Sequence, residues 1–282
     1  MSDPILTRDL CSTRPWLQVA QSDLGEAPGV PSMLSGEETR FYFWLTRRMA
    51  EVEGHVVDLG CFAGGSTAYL AEGNRAGGGH AKIFAFDRFH VTDKAKEAHL
   101  YAKGVAPFEG TNMLPLSKEL LAPWAPNIVF RKGRIEEQDW TEGAISVLVQ
   151  DASKNAEATA RMAKMFFPCL IPGVSALVQQ DELHWKEPWA AALMEQVKDC
   201  FEPLCHIPGG MMVYRCVRQV TAEVLTGGVD EMEDAAMIAA LEGAKARLKE
   251  FGVGARLDRQ IAGIRLNPGK RSAWSFKTRP PR

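Results

Sequence analysis

What the chain lacks narrows it first. No apolar run approaches the ~20 residues that a membrane span needs, and the opening Met1-Ser2-Asp3-Pro4 lacks the basic-then-apolar pattern of a secretion signal. These two absences predict a cytoplasmic protein with no membrane partner. The six cysteines, at 11, 61, 169, 200, 205 and 216, never fall at C-x-x-C spacing, and several sit in apolar segments. That predicts buried free thiols rather than disulfides or a zinc site. Excess charge of either sign is also missing: a net charge of −2 gives no global attraction to nucleic acid. Internal repeats and low-complexity tracts are absent as well.

What is present is a chain of 282 residues with 46% hydrophobic content, enough for one large domain or a domain with an appendage. Turn formers such as Pro15, Pro28 and Pro31 mark residues 1–33 as an N-terminal arm. Ser35-Gly36-Glu37-Glu38 then opens a helix that runs through Met49, with Ser35 as cap and Glu38 three residues on. Strand patterns follow near 55–59, 81–87, 127–132, 145–150 and 174–180, alternating with helix patterns near 66–72, 92–103, 155–167 and 187–200. Such alternation predicts an α/β fold: a Rossmann-like doubly wound sheet, mostly parallel, covered by helices on both faces. The runs 201–207 and 211–217, joined by Pro208-Gly209-Gly210, read as a hairpin that adds an antiparallel strand at the sheet edge. The core domain is thus 34–218, and 219–282 is a helical extension with a basic tail.

The most informative stretch is Val56-Val57-Asp58-Leu59-Gly60-Cys61-Phe62-Ala63-Gly64-Gly65-Ser66-Thr67. An apolar strand ends in an acid, a glycine turn and a Ser/Thr helix start, which is where an α/β sheet holds a cofactor. The dinucleotide fingerprint G-x-G-x-x-G is not met, because Phe62 replaces the middle glycine. A carboxylate two residues before the first glycine would repel a pyrophosphate and suit an ammonium. The ligand implied is an amino acid joined to a nucleoside, S-adenosylmethionine. Asp87, at the tip of the second strand, is placed to hydrogen-bond ribose hydroxyls. Phe62, Ser66, Arg88, Gly133, Arg134 and Asp151 join Asp58, Gly60, Gly64 and Asp87 as cofactor candidates.

The stretch 58–66 resembles motif I of class I methyltransferases, particularly the branch of the catechol and macrocin-type (sugar) O-methyltransferases. In that branch an Asp-x-x-Lys or Asp-x-x-His signature follows the fourth strand, and here Asp151-Ala152-Ser153-Lys154 stands there. Met33-Leu34-Ser35 is similar to the entry helix of the same branch. The resemblance spans roughly residues 33 to 218. It implies that Asp151 is a metal ligand and Lys154 the base that takes the substrate proton; His184, just beyond the fifth strand where a substrate would rest, is a further catalytic candidate on its position. The resemblance also implies an acidic pair after the fifth strand that completes a Mg²⁺ site. This chain has Gln179-Gln180-Asp181 there, so the metal candidates are Asp151, Gln180 and Asp181, with at least one anionic ligand replaced by an amide. A second acid two residues after the first is Ser153 here. Both departures lower the expected Mg²⁺ affinity.

The function expected is S-adenosylmethionine-dependent O-methylation of a small molecule or glycan hydroxyl. Alternatives on the same fold are a hydroxylase-like enzyme or a non-catalytic cofactor-binding protein with a degenerate metal site. Nucleic-acid methylation is disfavoured, since no Asp/Asn-Pro-Pro-aromatic tetrapeptide occurs. The long connection 90–126 reads as a lid or substrate wall. Helical spacing of Met232, Ala235, Met237, Ile238, Leu241, Ala244 and Leu248 over 230–251 predicts a docking face, assigned to a homodimer contact, and the basic residues of 256–282 read as a largely solvated tail near an active-site mouth.

Overall fold

A computed structural model of the chain describes residues 5–281. In chain order the main elements are α1 (Arg8–Ser12), α2 (Gly36–Arg48), β1 (His55–Leu59), α3 (Gly65–Ala76), β2 (Ile83–Asp87), α4 (Asp93–His99), α5 (Leu114–Leu120) and β3 (Ile128–Lys132). There follow β4 (Ile145–Gln150), α6 (Ala156–Phe166), β5 (Ala176–Gln179), α7 (Pro188–Gln196), β6 (Phe201–Ile207), β7 (Met211–Cys216), α8 (Asp234–Arg247) and α9 (Gly254–Leu266). The seven strands form one sheet of order β3-β2-β1-β4-β5-β7-β6. The expected Rossmann-like, mostly parallel architecture is therefore what the chain adopts. One detail differs from expectation. The antiparallel strand is not at the edge: β7 pairs antiparallel with β5, and β6, antiparallel to β7, takes the outer position. The two-residue glycine turn makes the hairpin, but the completely buried β5 needs a buried neighbour, and β7 with its Met211–Tyr214 run supplies it. The edge strand carries Pro203, where the missing N–H forfeits no ladder bond.

By contact the chain divides into two units. One comprises Thr13–Gln138 and Ser146–Leu148. In it α2 begins as read from the sequence: Ser35 Oγ accepts from Glu38 N–H and Glu38 Oε2 accepts from Ser35 N–H at 2.6 Å. Helix α3 runs from Gly65 to Ala76, one turn beyond the expected 66–72, through Gly73 and up to the glycines at 77–79. Gly73 is helical because α3 presses on α2 there: a Cβ would lie 2.1 Å from the Phe43 carbonyl oxygen. The pairs Val56 with Ile83 and Ile83 with Ile128 set the parallel register of β1, β2 and β3.

The other unit holds the residues before Thr13, Asp139–Ile145 and everything from Val149 on. Helix α1 covers β6, and Arg8 Nε donates to the Pro203 carbonyl at 3.3 Å, protecting the sheet edge. The extension is not a loose tail. Met237, Leu241 and Ala244 of α8 and Leu248 just beyond it are buried, and α8 packs on α7 and α9. Of the rest of the stripe, Ala235 is exposed and Met232 and Ile238 are half-buried. Helix α9 went unforeseen; its Leu257, Ile261 and Ile264 are buried. Phe276 lies only 2% exposed, beside Trp185 and Trp189. All six cysteines are free, and all but Cys169 are buried. No helix of the described residues is long and apolar enough to cross a membrane.

Candidate functional site

In the first unit the chemistry gathers at the turn from β1 into α3. Gly60 and Gly64 both adopt φ 108°, and Phe62 between them has φ 50°, so the chain reverses through left-handed conformations that favour glycine. The glycines also answer to packing: a Cβ on Gly64 would meet the Leu121 side chain at 2.7 Å, and one on Gly65 the Pro31 carbonyl at 2.6 Å. Asp58 is completely buried beneath this turn. Its Oδ2 accepts from the Ser66 hydroxyl at 2.7 Å and the Thr67 hydroxyl at 2.6 Å, while its Oδ1 is buried with no hydrogen-bond partner. Burial pushes the carboxyl up to about 6, against the two hydroxyls that favour the anion, with the nearby Asp87 adding to the rise.

Asp87 secures the same turn from β2. Its Oδ2 accepts from Phe62 N–H at 2.9 Å and its Oδ1 from Phe89 N–H at 2.6 Å. Its carboxyl is raised by burial, which outweighs those two N–H groups and the Arg88 charge. Gly133 donates its N–H to the Asp87 carbonyl at 3.0 Å, so three of the cofactor candidates meet here. Arg88 is exposed. Arg134 points its guanidinium at Glu136 (2.8 Å) and Glu137 (3.2 Å) of its own loop. The 90–126 connection carries α4 and α5 and bounds a cavity of about 590 Å³ with Lys103, Phe108, Glu109, Leu116 and Glu119 among its lining.

In the second unit the residues after β4 and β5 form an ion cluster. Lys154 Nζ lies 2.5 Å from Asp181 Oδ2, 3.3 Å from Glu187 Oε1 and 3.5 Å from Asp151 Oδ1. Burial disfavours its charge, but the carboxylates of Asp151, Glu187 and Asp181 prevail and hold the ammonium above the ordinary lysine range. A base must be neutral to accept a proton, so this cage works against the base role that the resemblance implies for Lys154. Glu187 is the member that the sequence reading missed. It precedes Pro188, the first residue of α7, and looks like a helix-start acid; its spacing of three from His184 was the available signal. Its side chain is 4% exposed, and burial pushes it up to about 7 despite Lys154. His184 is lowered by burial and by the Lys154, Lys186 and Arg259 charges, with Asp181 opposing. Its Nδ1 is buried, 3.8 Å from Glu187 Oε1, beyond hydrogen-bond reach.

Two of the residues offered as metal ligands, Asp151 and Asp181, meet at the Lys154 ammonium. Gln180 is buried, its N–H donating to the Gln150 carbonyl at 3.1 Å. Among the described residues no group of three or more His, Cys, Asp or Glu side chains is set to hold a metal ion. At the β1–α3 turn, the unpartnered Asp58 Oδ1 lies beneath residues in left-handed conformations, a place whose chemistry suits a cation.

No family model matches the chain, and no curated protein matches it. Among solved structures it is similar to the O-methyltransferase NovP, at 14% identity over 62% of this chain and 79% of that one, with a TM-score of 0.45. It is also similar to the SAH-bound methyltransferase PaMTH1 of Podospora anserina, at 15% identity over 77% of this chain and 89% of that one, with a TM-score of 0.46.

Proposed function

We propose that the chain is an S-adenosylmethionine-dependent methyltransferase that acts on a hydroxyl of a small molecule or sugar. The observation that carries this reading is Asp58: a fully buried carboxylate whose second oxygen has no partner, set under a glycine turn at the end of the first strand. Asp58 would meet the ammonium of the cofactor, and Asp87, with its carboxylate already anchored by two backbone N–H groups, would meet the ribose. Gly60, Phe62, Gly64 and Ser66 shape the turn between them. When bound, the cofactor supplies an electrophilic methyl group on a sulfonium sulfur. The acceptor oxygen forms its bond to that methyl as the carbon–sulfur bond breaks, and the hydroxyl proton must pass to a base. His184 suits that role better than Lys154, since its depressed affinity for protons leaves the imidazole neutral at pH 7. Alignment of nucleophile and methyl group supplies most of the acceleration.

The cavity beneath the 90–126 connection supports a small acceptor, being within the size range of small-molecule sites. The test is calorimetry with S-adenosylhomocysteine, followed by an acceptor screen with labelled cofactor. Binding to the parent protein, with a loss on the order of tenfold or more in Asp58→Asn, is expected. A parent protein that binds no S-adenosylhomocysteine ends this reading, and binding without transfer to any acceptor favours a non-catalytic cofactor-binding protein.

A further inference from the structure

Asp151, after β4, and Asp181 and Glu187, from the two ends of the β5–α7 connection, converge on one point, and that point is taken. The Lys154 ammonium has a carboxylate oxygen of each within 3.5 Å. Its position is built, not incidental. The Lys154 carbonyl accepts from Ala273 N–H at 2.9 Å, its N–H donates to the Ala152 carbonyl at 2.8 Å, and the next residue but one, Ala156, donates to the Arg271 carbonyl at 2.9 Å. Glu187 is fixed likewise, by its N–H on the His184 carbonyl at 3.0 Å and by the neighbouring Trp189, whose Nε1 donates to the Ser153 carbonyl at 2.6 Å.

A magnesium ion needs oxygens at about 2.0–2.1 Å and a calcium ion at about 2.3–2.6 Å. Carboxylates that close around an ion at those distances would have to expel the ammonium, since two cations cannot share the seat. The sequence around the cluster agrees: Gln180 and Ser153 stand where the resemblance calls for acids. Anionic ligands have gone, and a tethered cation occupies the ones that remain.

We infer that the Lys154 ammonium is the resident cation of this carboxylate cluster, and that no divalent ion binds there while the lysine is present. The consequence for catalysis rests on the methyltransferase reading: a fixed positive charge, in place of a metal, would steady the oxygen as it gives up its proton. The seat itself rests on the cluster alone. Its test is therefore a binding experiment that needs no turnover.

Calorimetry and thermal denaturation with MnCl2 and CaCl2, at constant ionic strength, compare the parent, Lys154→Ala, Lys154→Met and Asp181→Asn. The parent should show no saturable binding and no rise in Tm. Lys154→Ala, which leaves three carboxylates facing an empty seat, should gain a site with a Kd on the order of 10⁻⁴ M and a Tm that climbs with either ion. Adding Asp181→Asn should abolish the gain. Lys154→Met keeps the stem packing without the charge and serves if the alanine variant does not fold. Saturable binding of Mn²⁺ by the parent that Asp181→Asn removes would overturn the inference, as would a folded lysine variant that responds to the ions no more than the parent. S-adenosylhomocysteine affinity measured on the same samples separates the two readings, since its absence in the parent defeats the methyltransferase assignment and leaves the seat untouched.

Discussion

Asp58 concentrates the residue-scale argument. Both of its hydroxyl partners bind the same oxygen, so the anion is only half satisfied, and burial keeps the carboxyl near 6. A ligand ammonium would complete it, which ties cofactor affinity to the ionised form. Affinity for S-adenosylhomocysteine should therefore weaken as pH falls through about 6, where Asp58 takes up a proton. Thr67→Val removes one bond that favours the anion, so its midpoint should move to higher pH, and the protein should lose about 1–3 kcal/mol of stability at neutral pH. Calorimetry across the acid range checks the first effect and urea unfolding the second. An affinity independent of pH through that window would detach Asp58 from the ligand. His184 makes a separate claim: with its proton affinity lowered, the turnover rate should fall only below the ordinary histidine value of about 6.5, and His184→Gln should erase that acid limb in a pH–rate profile.

At the scale of elements, Glu182 links β5, β7 and α9. Its Oε1 accepts from the Tyr214 hydroxyl at 2.6 Å, its carbonyl accepts from Gln260 Nε2 at 2.6 Å, and its Oε2 is buried without a partner. Burial pushes the carboxyl up to about 8, with Tyr214 and Arg247 opposing. The folded protein thus holds this proton more tightly than the unfolded chain, where a glutamate releases it near 4.3. Unfolding releases the proton between those values, so stability contributed here is greatest at low pH and is lost as pH rises from about 4.3 to about 8. Glu182→Gln should flatten that decline, and the variant should be more stable than the parent above pH 8 by on the order of 1–3 kcal/mol. Urea midpoints at pH 6 and pH 8.5 decide it; an equal drop in both proteins assigns the slope to other groups. The same elements show what a sequence can disclose. Strands β1 to β5 were legible because apolar runs ended at acids or glycines, and the start of α2 because its cap is local. Helix α9 was not, since its stripe of Leu257, Ile261 and Ile264 is interleaved with Arg256, Arg259 and Arg265 in a segment that reads as basic, and its packing partners, Trp185 among them, lie far along the chain. In the site, the resemblance pointed to Asp151, Lys154 and Asp181, whereas Glu187, whose one local signal was its spacing of three from His184, is brought to them by the turn after β5.

The extension matters at the scale of the whole molecule because it is bound to the segment that carries Lys154. Asn155 and Ser272 form a β-bridge, Arg271 pairs with Asp234 at 2.7 Å, and the Asn267 side chain takes the N–H groups of Lys277 and Thr278 at 3.0 Å each. Phe276 fills the space by Trp185 and Trp189 at centroid separations of 6.2 and 6.0 Å. The basic residues that look like a solvated tail in the sequence are thus carried on an ordered strap, and its apolar anchors, not its charges, explain its place. Replacing Phe276 by alanine should cost about 3–5 kcal/mol, the range for truncating a buried aromatic. The more telling effect is where the damage falls. The strap touches Lys154 and Trp189 but has no part in the Asp58 and Asp87 contacts, so Phe276→Ala should lower kcat while S-adenosylhomocysteine affinity stays near the parent value at temperatures where the variant is folded. Parallel calorimetry and turnover measurements on that variant test this. A loss of affinity as large as the loss of rate would mean that the strap supports the fold as a whole and not the Lys154 cluster in particular.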